Sequence, residues 1–236
     1  MRSPPMTLPA DSPVPGSLSP GLRAYPEPEP FEEAAAAHPQ DLAAALAFAL
    51  SRAIEAAERR GDSRPVAMVS TPMFEHERGR LFGWGARGLG LDPSRLLLIR
   101  ARREPEALWA FEEALKSGAA AAVIGALDRP AFVATRRLDF AARAGRACGF
   151  VLRAGPTGDL SAARLRWRVA AEPSAPHPFD PRAPGAARLR CELVRSRDGR
   201  SGAFVLEQDH ETGRFRLAAG LADHGLAPQP HALRVA

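Results

Sequence analysis

The stretch SGAAAAVIGAL, residues 117–127, decides the fold. It is an apolar run with no carboxylate, and it has the length of a buried strand. The helical pattern before it, EPEALWAFEEALKSG, places Leu108, Phe111 and Leu115 on one face. Pro105 sits at a first-turn position and Gly118 is the stop. A helix feeding a continuous apolar strand is the unit of a parallel sheet covered on both sides. In a nucleotide-hydrolysing α/β domain such a strand often ends in an Asp that holds Mg²⁺. Here it ends Gly125-Ala126-Leu127.

The same alternation extends in both directions. Upstream, Asp41 precedes LAAALAFALSRAIEAAERR, where Leu42, Leu46, Leu50 and Ile54 recur at helical spacing, with Ala49 and Ala53 alongside and Gly61 as the stop. VAMVS (66–70) and RLLLI (95–99) read as strands, and RLFGWGARGLGL between them as a loose helix. Downstream, AFVATRRLDFAARAG reads as a helix and ACGFVL (147–152) as a strand. The expected class is α/β, a mainly parallel sheet covered by helices. In ARLRWRV, Leu165, Trp167 and Val169 then alternate with Arg164, Arg166 and Arg168, the pattern of a half-buried strand with an arginine face. Residues 188–218 read as a β-rich antiparallel extension with turns at Asp198-Gly199 and Thr212-Gly213. The expected division is a disordered tail at 1–30, an α/β core at 31–171, a Pro-rich linker at 172–187, the β-meander at 188–218 and a flexible tail at 219–236. No internal repeat is found.

The length, 236 residues, suits one good-sized domain with extensions. The apolar runs are short and interrupted by Arg or Glu, which excludes a membrane-spanning reading. The Pro- and Ser-rich start lacks a signal-peptide core, and Cys148 and Cys191 fall in strands with no metal-ligand spacing, so a reduced cytoplasm is expected. The net charge is +5, and 31 of the 32 basic side chains are Arg, Lys116 being the exception. That ratio suggests a GC-rich coding bias, so placement says more than totals. Residues 136–168 hold eight Arg (136, 137, 143, 146, 153, 164, 166, 168) against Asp139 and Asp159, a net of +6. Such an excess can attract phosphates or an acidic protein. Arg136, Arg137, Arg143, Arg164, Arg166 and Arg168 are therefore candidate DNA or partner contacts. Exposed strand positions in an Arg-biased chain would look the same.

Catalytic motifs are missing. Gly83-Trp84-Gly85-Ala86-Arg87-Gly88 fits G-x-G-x-x-G, but Leu-Gly-Leu-Asp-Pro follows and no helix opens to receive a phosphate. Glu75-His76-Glu77 reads as a charged loop turn ahead of a metal site. No G-x-x-x-x-G-K-[ST] occurs; the first long helix is preceded by EEAAAAHPQD, whose Glu32 and Glu33 would repel a triphosphate. No nucleophile–base set can be argued from spacing, and no cofactor or metal site is expected.

GLDPSRLLLIRARREPEALWAFEEALKSGAAAAVIGAL resembles the middle of RecA, with a strand, a helix ending in SG, and the strand that in RecA carries the Mg²⁺-binding Asp. ATRRLDFAARAGRACGFVL resembles the next helix and strand. LRWRVAAEPS and RLRCELVRSRDGRSGAFVLEQDHETGRF narrow the resemblance to the ImuA family, RecA/SulA-like accessory proteins of bacterial SOS mutagenesis cassettes, over roughly residues 41–218. The resemblance implies a non-catalytic role in damage-induced translesion synthesis. The implied partners are an ImuB-like protein, an error-prone relative of the polymerase α subunit, and RecA itself, with weak single-stranded DNA binding a further expectation. An ungapped match puts Ala126 at the Mg²⁺-binding Asp and Thr71-Pro72 near the catalytic Glu. RSRDGRSG is similar to a helicase hairpin that reaches a neighbour's γ-phosphate, with Arg195 and Arg197 at its basic positions. Those two, with Leu221, Leu226 and Leu233 in the last residues, are candidate partner contacts. The alternative is a SulA-like inhibitor of cell division.

Overall fold

The computed structural model describes residues 25–156, 158–180 and 182–218. The strands are β1 (Phe31–Ala36), β2 (Val66–Ser70), β3 (Leu96–Arg100), β4 (Ala122–Ala126), β5 (Cys148–Arg153), β6 (Leu165–Glu172), β7 (Arg188–Ser196), β8 (Gly202–Gln208) and β9 (Phe215–Leu217). The helices are α1 (Leu42–Arg59), α2 (Pro72–Arg78), α3 (Gly83–Gly88), α4 (Glu104–Lys116) and α5 (Phe132–Ala144). All nine strands form one sheet in the order β3-β2-β4-β5-β1-β6-β7-β8-β9. Pairing is parallel from β3 to β6 and antiparallel from β6 to β9. The α/β class and the antiparallel C-terminal strands agree with the sequence reading.

The opening stretch folds as its pattern requires. Helix α4 ends at Lys116, and Gly118 takes φ +66°, a left-handed conformation that turns the chain toward the sheet. Strand β4 is then buried throughout between β2 and β5. Gly125 is glycine for a packing reason. A Cβ there would stand 2.3 Å from the Phe111 ring of α4. The same helix thus fixes the small residue near the strand end.

Each face of the sheet carries its own core. Helix α1 packs Phe48, Leu50 and Ile54 over Phe150, Leu152 and Trp167, and the cluster continues into Cys191, Leu193 and Leu206. On the other face α4 and α5 bring Phe111, Leu115 and Leu138 against Phe31, Val123 and Val151. The meander is therefore a continuation of the sheet: β7 pairs with β6 from Leu165↔Ser196 to Glu172↔Arg188, with a bulge between Arg166 and Trp167. The Pro-rich segment between them closes on itself through a Pro176↔Pro184 bridge and an Ala175 N–H bond to the Ala186 carbonyl.

Two local expectations change. FEEAAA, read as part of the approach to the first helix, is the strand β1 between β5 and β6. Glu and Ala are poor strand formers, and tertiary pairing overrides that preference. Glu75-His76-Glu77 lies within α2, capped by Thr71 Oγ1 accepting from Phe74 N–H, and is not a loop turn. The glycine motif at 83–88 is the short helix α3, in line with the loose-helix reading, and it makes no strand-to-helix loop.

Candidate functional site

In open parallel sheets ligands bind at the carboxyl ends of the strands, so that end comes first. The chain passes from β1 to α1 through a single 3-10 turn, residues 39–41. Three amides in and just before it are already spent: Ala37 N–H donates to Val169 O, His38 N–H to Asp41 Oδ2, and Asp41 N–H to His38 O. Asp41 Oδ1 also accepts from Ala171 N–H, tying the turn to the end of β6. A phosphate cradle needs several free, converging N–H groups, and this turn offers none of the three. At the end of β4, Leu127 N–H bonds the Leu152 carbonyl and Asp128 N–H bonds Glu104 Oε1. Beside them, Glu75 joins Ser70 Oγ (2.8 Å), Arg100 and Arg80 in one cluster. The Arg100 hydrogen bond holds the Glu75 carboxyl below the usual carboxylate range, against the opposing effect of burial and with help from Ser70. Among the described residues no group of three or more His, Cys, Asp or Glu could hold a metal ion.

Glu32 and Glu33, read in the sequence as charges that would repel a triphosphate, are buried in the middle of the sheet. Strand alternation sends them to opposite faces. Glu32 accepts from Arg52 Nε and Nη2 on α1 at 3.2 and 2.7 Å, and from Trp167 Nε1 at 2.9 Å. Arg52 also donates to the carbonyls of Pro26 and Glu27 and stands over the rings of Tyr25 and Trp167. Burial opposes the Arg52 charge, but Glu32 outweighs it and raises the guanidinium pKa. Burial likewise pushes the Tyr25 phenol up. On the other face Glu33 accepts from Arg166 at 2.9 Å and stands 3.4 Å from Arg153 Nη1. These two carboxylates lock the segment before β1 and the central strands together.

The six candidate arginines of residues 136–168 do not form one free cationic face. Arg164 lies 3.4 Å from Asp139 and 3.6 Å from Glu29, Arg166 bonds Glu33, and Arg168 pairs with Glu192 at 3.2 Å. On α5, Arg137 pairs with Glu112 and Arg143 with Asp139, while Arg136 is exposed. Most of these carboxylates lie outside the window in which the charge excess was counted. Arg195 and Arg197 are exposed at the β7–β8 hairpin. Beside it a 220 Å³ depression is lined by Glu29, Arg164, Leu165, Arg197, Asp198 and Arg200. Leu221, Leu226 and Leu233 lie outside the described residues. One surface escaped the sequence reading altogether. Strand β3 forms one edge of the sheet, with Leu97 and Leu98 47% and 51% exposed. An apolar run looks the same whether its strand is central or at an edge, so the sequence carried no signal for it.

No family model matches the chain. It is 39% identical over 163 residues to Protein ImuA of Caulobacter vibrioides strain NA1000 / CB15N, and equally to that of strain ATCC 19089. The chain belongs to the ImuA family. The match covers 64% of this chain and 66% of the length of those ImuA proteins. A crystal structure of SulA from Pseudomonas aeruginosa is also similar, at 25% identity over 53% of this chain and 98% of that one. Its TM-score of 0.40 is too low to bear on function.

Proposed function

We propose that this ImuA-family chain is a non-catalytic, RecA-like adaptor in damage-induced mutagenic translesion synthesis. It works with an ImuB-type polymerase-like protein and an error-prone relative of the polymerase α subunit, with RecA as a further contact. The observation that carries the reading is the 39% identity to Protein ImuA. The β1–α1 connection, three of whose amides are spent on internal bonds, agrees with a role that does not use a nucleotide of its own. The reading places the protein in the cytoplasm; no helix among the described residues is long and apolar enough to cross a membrane.

Within this reading the exposed hairpin at Arg195 and Arg197 is a partner contact, together with Leu221, Leu226 and Leu233. Arg136 and the outer arginines of α5 and β6 give the weak single-stranded DNA contact. The test is genetic and biochemical together. Deleting the coding sequence should abolish damage-induced mutation, and the intact chain should restore it and capture the ImuB-type protein from purified components. Arg195→Ala with Arg197→Ala should fold normally and lose capture. Full mutagenesis without the chain would end the adaptor reading.

A further inference from the structure

We propose that the outer edge of β3 receives an extended, acidic segment of a protein partner as a tenth strand of the sheet. The inference rests on the adaptor reading above and adds the surface and the chemistry of what it holds.

The first observation is an unprotected edge. β3 pairs only with β2 among the described residues. Ala101 N–H bonds the Ser70 carbonyl on the β2 side. Backbone groups alternate along a strand, so Leu96, Leu98 and Arg100 aim their N–H and C=O groups outward. Proteins blunt such edges with proline, charge, bulges, shortness or a cover. Residues 96–99 are Leu-Leu-Leu-Ile, with none of the first two devices and no bulge in the β2 pairing. Leu97 and Leu98 point to opposite faces, and both are about half exposed. The far edge of the same sheet shows the contrast. Strand β9 is three residues long and carries an exposed Arg216 between Phe215 and Leu217.

The second observation is the charge of the rim. Arg80 and Arg100, 67% and 49% exposed, share the single carboxylate of Glu75. Arg102, exposed just past the strand, has no ion-pair partner among the described residues. The strand end is therefore net cationic, which favours an acidic occupant. It disfavours a second copy. An antiparallel β3 paired about Leu98 would set Arg100 of each chain opposite Leu96 and beside Arg95, so each rim would meet a further cation and no carboxylate. Main-chain hydrogen bonds would supply affinity, apolar side chains over Leu97 and Leu98 the register, and carboxylates near Arg80, Arg100 and Arg102 the direction.

The test uses the full-length chain and the purified ImuB-type protein of the same cassette. Amide hydrogen exchange across residues 96–100 should slow at least ten-fold in the wild-type complex. Leu98→Lys, a substitution that exposed edges accommodate, should weaken binding at least ten-fold by calorimetry, and Arg102→Glu should weaken it several-fold. A complex that forms with unchanged exchange in β3, or that Leu98→Lys leaves intact, overturns the proposal while the adaptor reading stands. No binding by the wild-type chain defeats the adaptor reading and this inference with it. A wild-type dimer that Leu98→Lys converts to monomers would assign the edge to a second copy and overturn the proposal.

Discussion

Residue by residue, the interior is organised by charges that a composition count assigns to the surface. Glu32 and Arg52 are both about 1% exposed, and Trp167 Nε1 shares the carboxylate. Removing one partner of such a pair leaves the other buried and uncompensated, which costs about 3–5 kcal/mol. Arg52→Leu should therefore lower stability by about that amount in urea unfolding, and it should also release the segment before β1. Gly125→Ala tests the packing on β4. The new methyl meets the Phe111 ring within a close-packed core, so a loss of about 1–3 kcal/mol is expected from the same measurement. Glu75 gives a pH signature. Its folded pKa is depressed, so its stabilisation is complete above the unfolded value near 4.3 and is lost as pH falls through the folded value. The stability advantage of wild type over Glu75→Gln should hold at neutral pH and shrink on acidification below about pH 4. An advantage that does not change with pH would show that the carboxylate is not what Arg100 and Ser70 hold.

At the scale of elements, β6 shows what pattern reading delivers and where it stops. Leu165, Trp167 and Val169 are buried and the arginines between them face the other side, as alternation requires. The role of those arginines was not legible, because their partners Glu33 and Glu192 are brought in by other strands. The two differ in consequence. Arg166→Glu would set a carboxylate beside the buried Glu33 and should destabilise the fold severely. Arg168→Glu replaces the pair with Glu192, both partners at least 40% exposed, by two like charges directly opposite each other, and should lower stability by about 1 kcal/mol or less. A DNA-binding assay on any variant that includes Arg166→Glu would therefore report unfolding, so Arg136→Glu and Arg168→Glu are the cleaner probes. Affinity through phosphates should fall steeply with salt in the wild type. Strand β1 was missed for the converse reason. Its FEEAAA sequence has weak strand preference, and it becomes a strand because β5 and β6 pair with it on both sides.

For the whole molecule, one continuous sheet links the parallel half to the meander. Strand β7 covers the full length of β6, and Leu189, Cys191 and Leu193 share a core with Phe48 and Trp167. The hairpin at 209–214 reaches back as well: Arg214 pairs with Glu58 of α1, and Gln208 Nε2 donates to the Gly88 carbonyl. A chain ending after Ala187 would bare β6 and the apolar side of Trp167. It should aggregate or lose its cooperative thermal transition, measured by circular dichroism and gel filtration. If it stays monomeric with a sharp transition, the parallel half is self-sufficient.

The sequence by itself determined the alternation of helices and strands from Leu42 onward, the alternating faces of β6, the position of the turns and the lack of a glycine-rich phosphate loop. These are local properties, fixed by side-chain periodicity and backbone preference within a few residues. Tertiary structure decided the rest: that Glu32 and Glu33 are buried, that the arginines of β6 are paired, that the meander completes one sheet, and that Leu97 and Leu98 lie at its edge. Each of these depends on which strand stands beside which, and strand order is set by contacts between residues far apart in the chain.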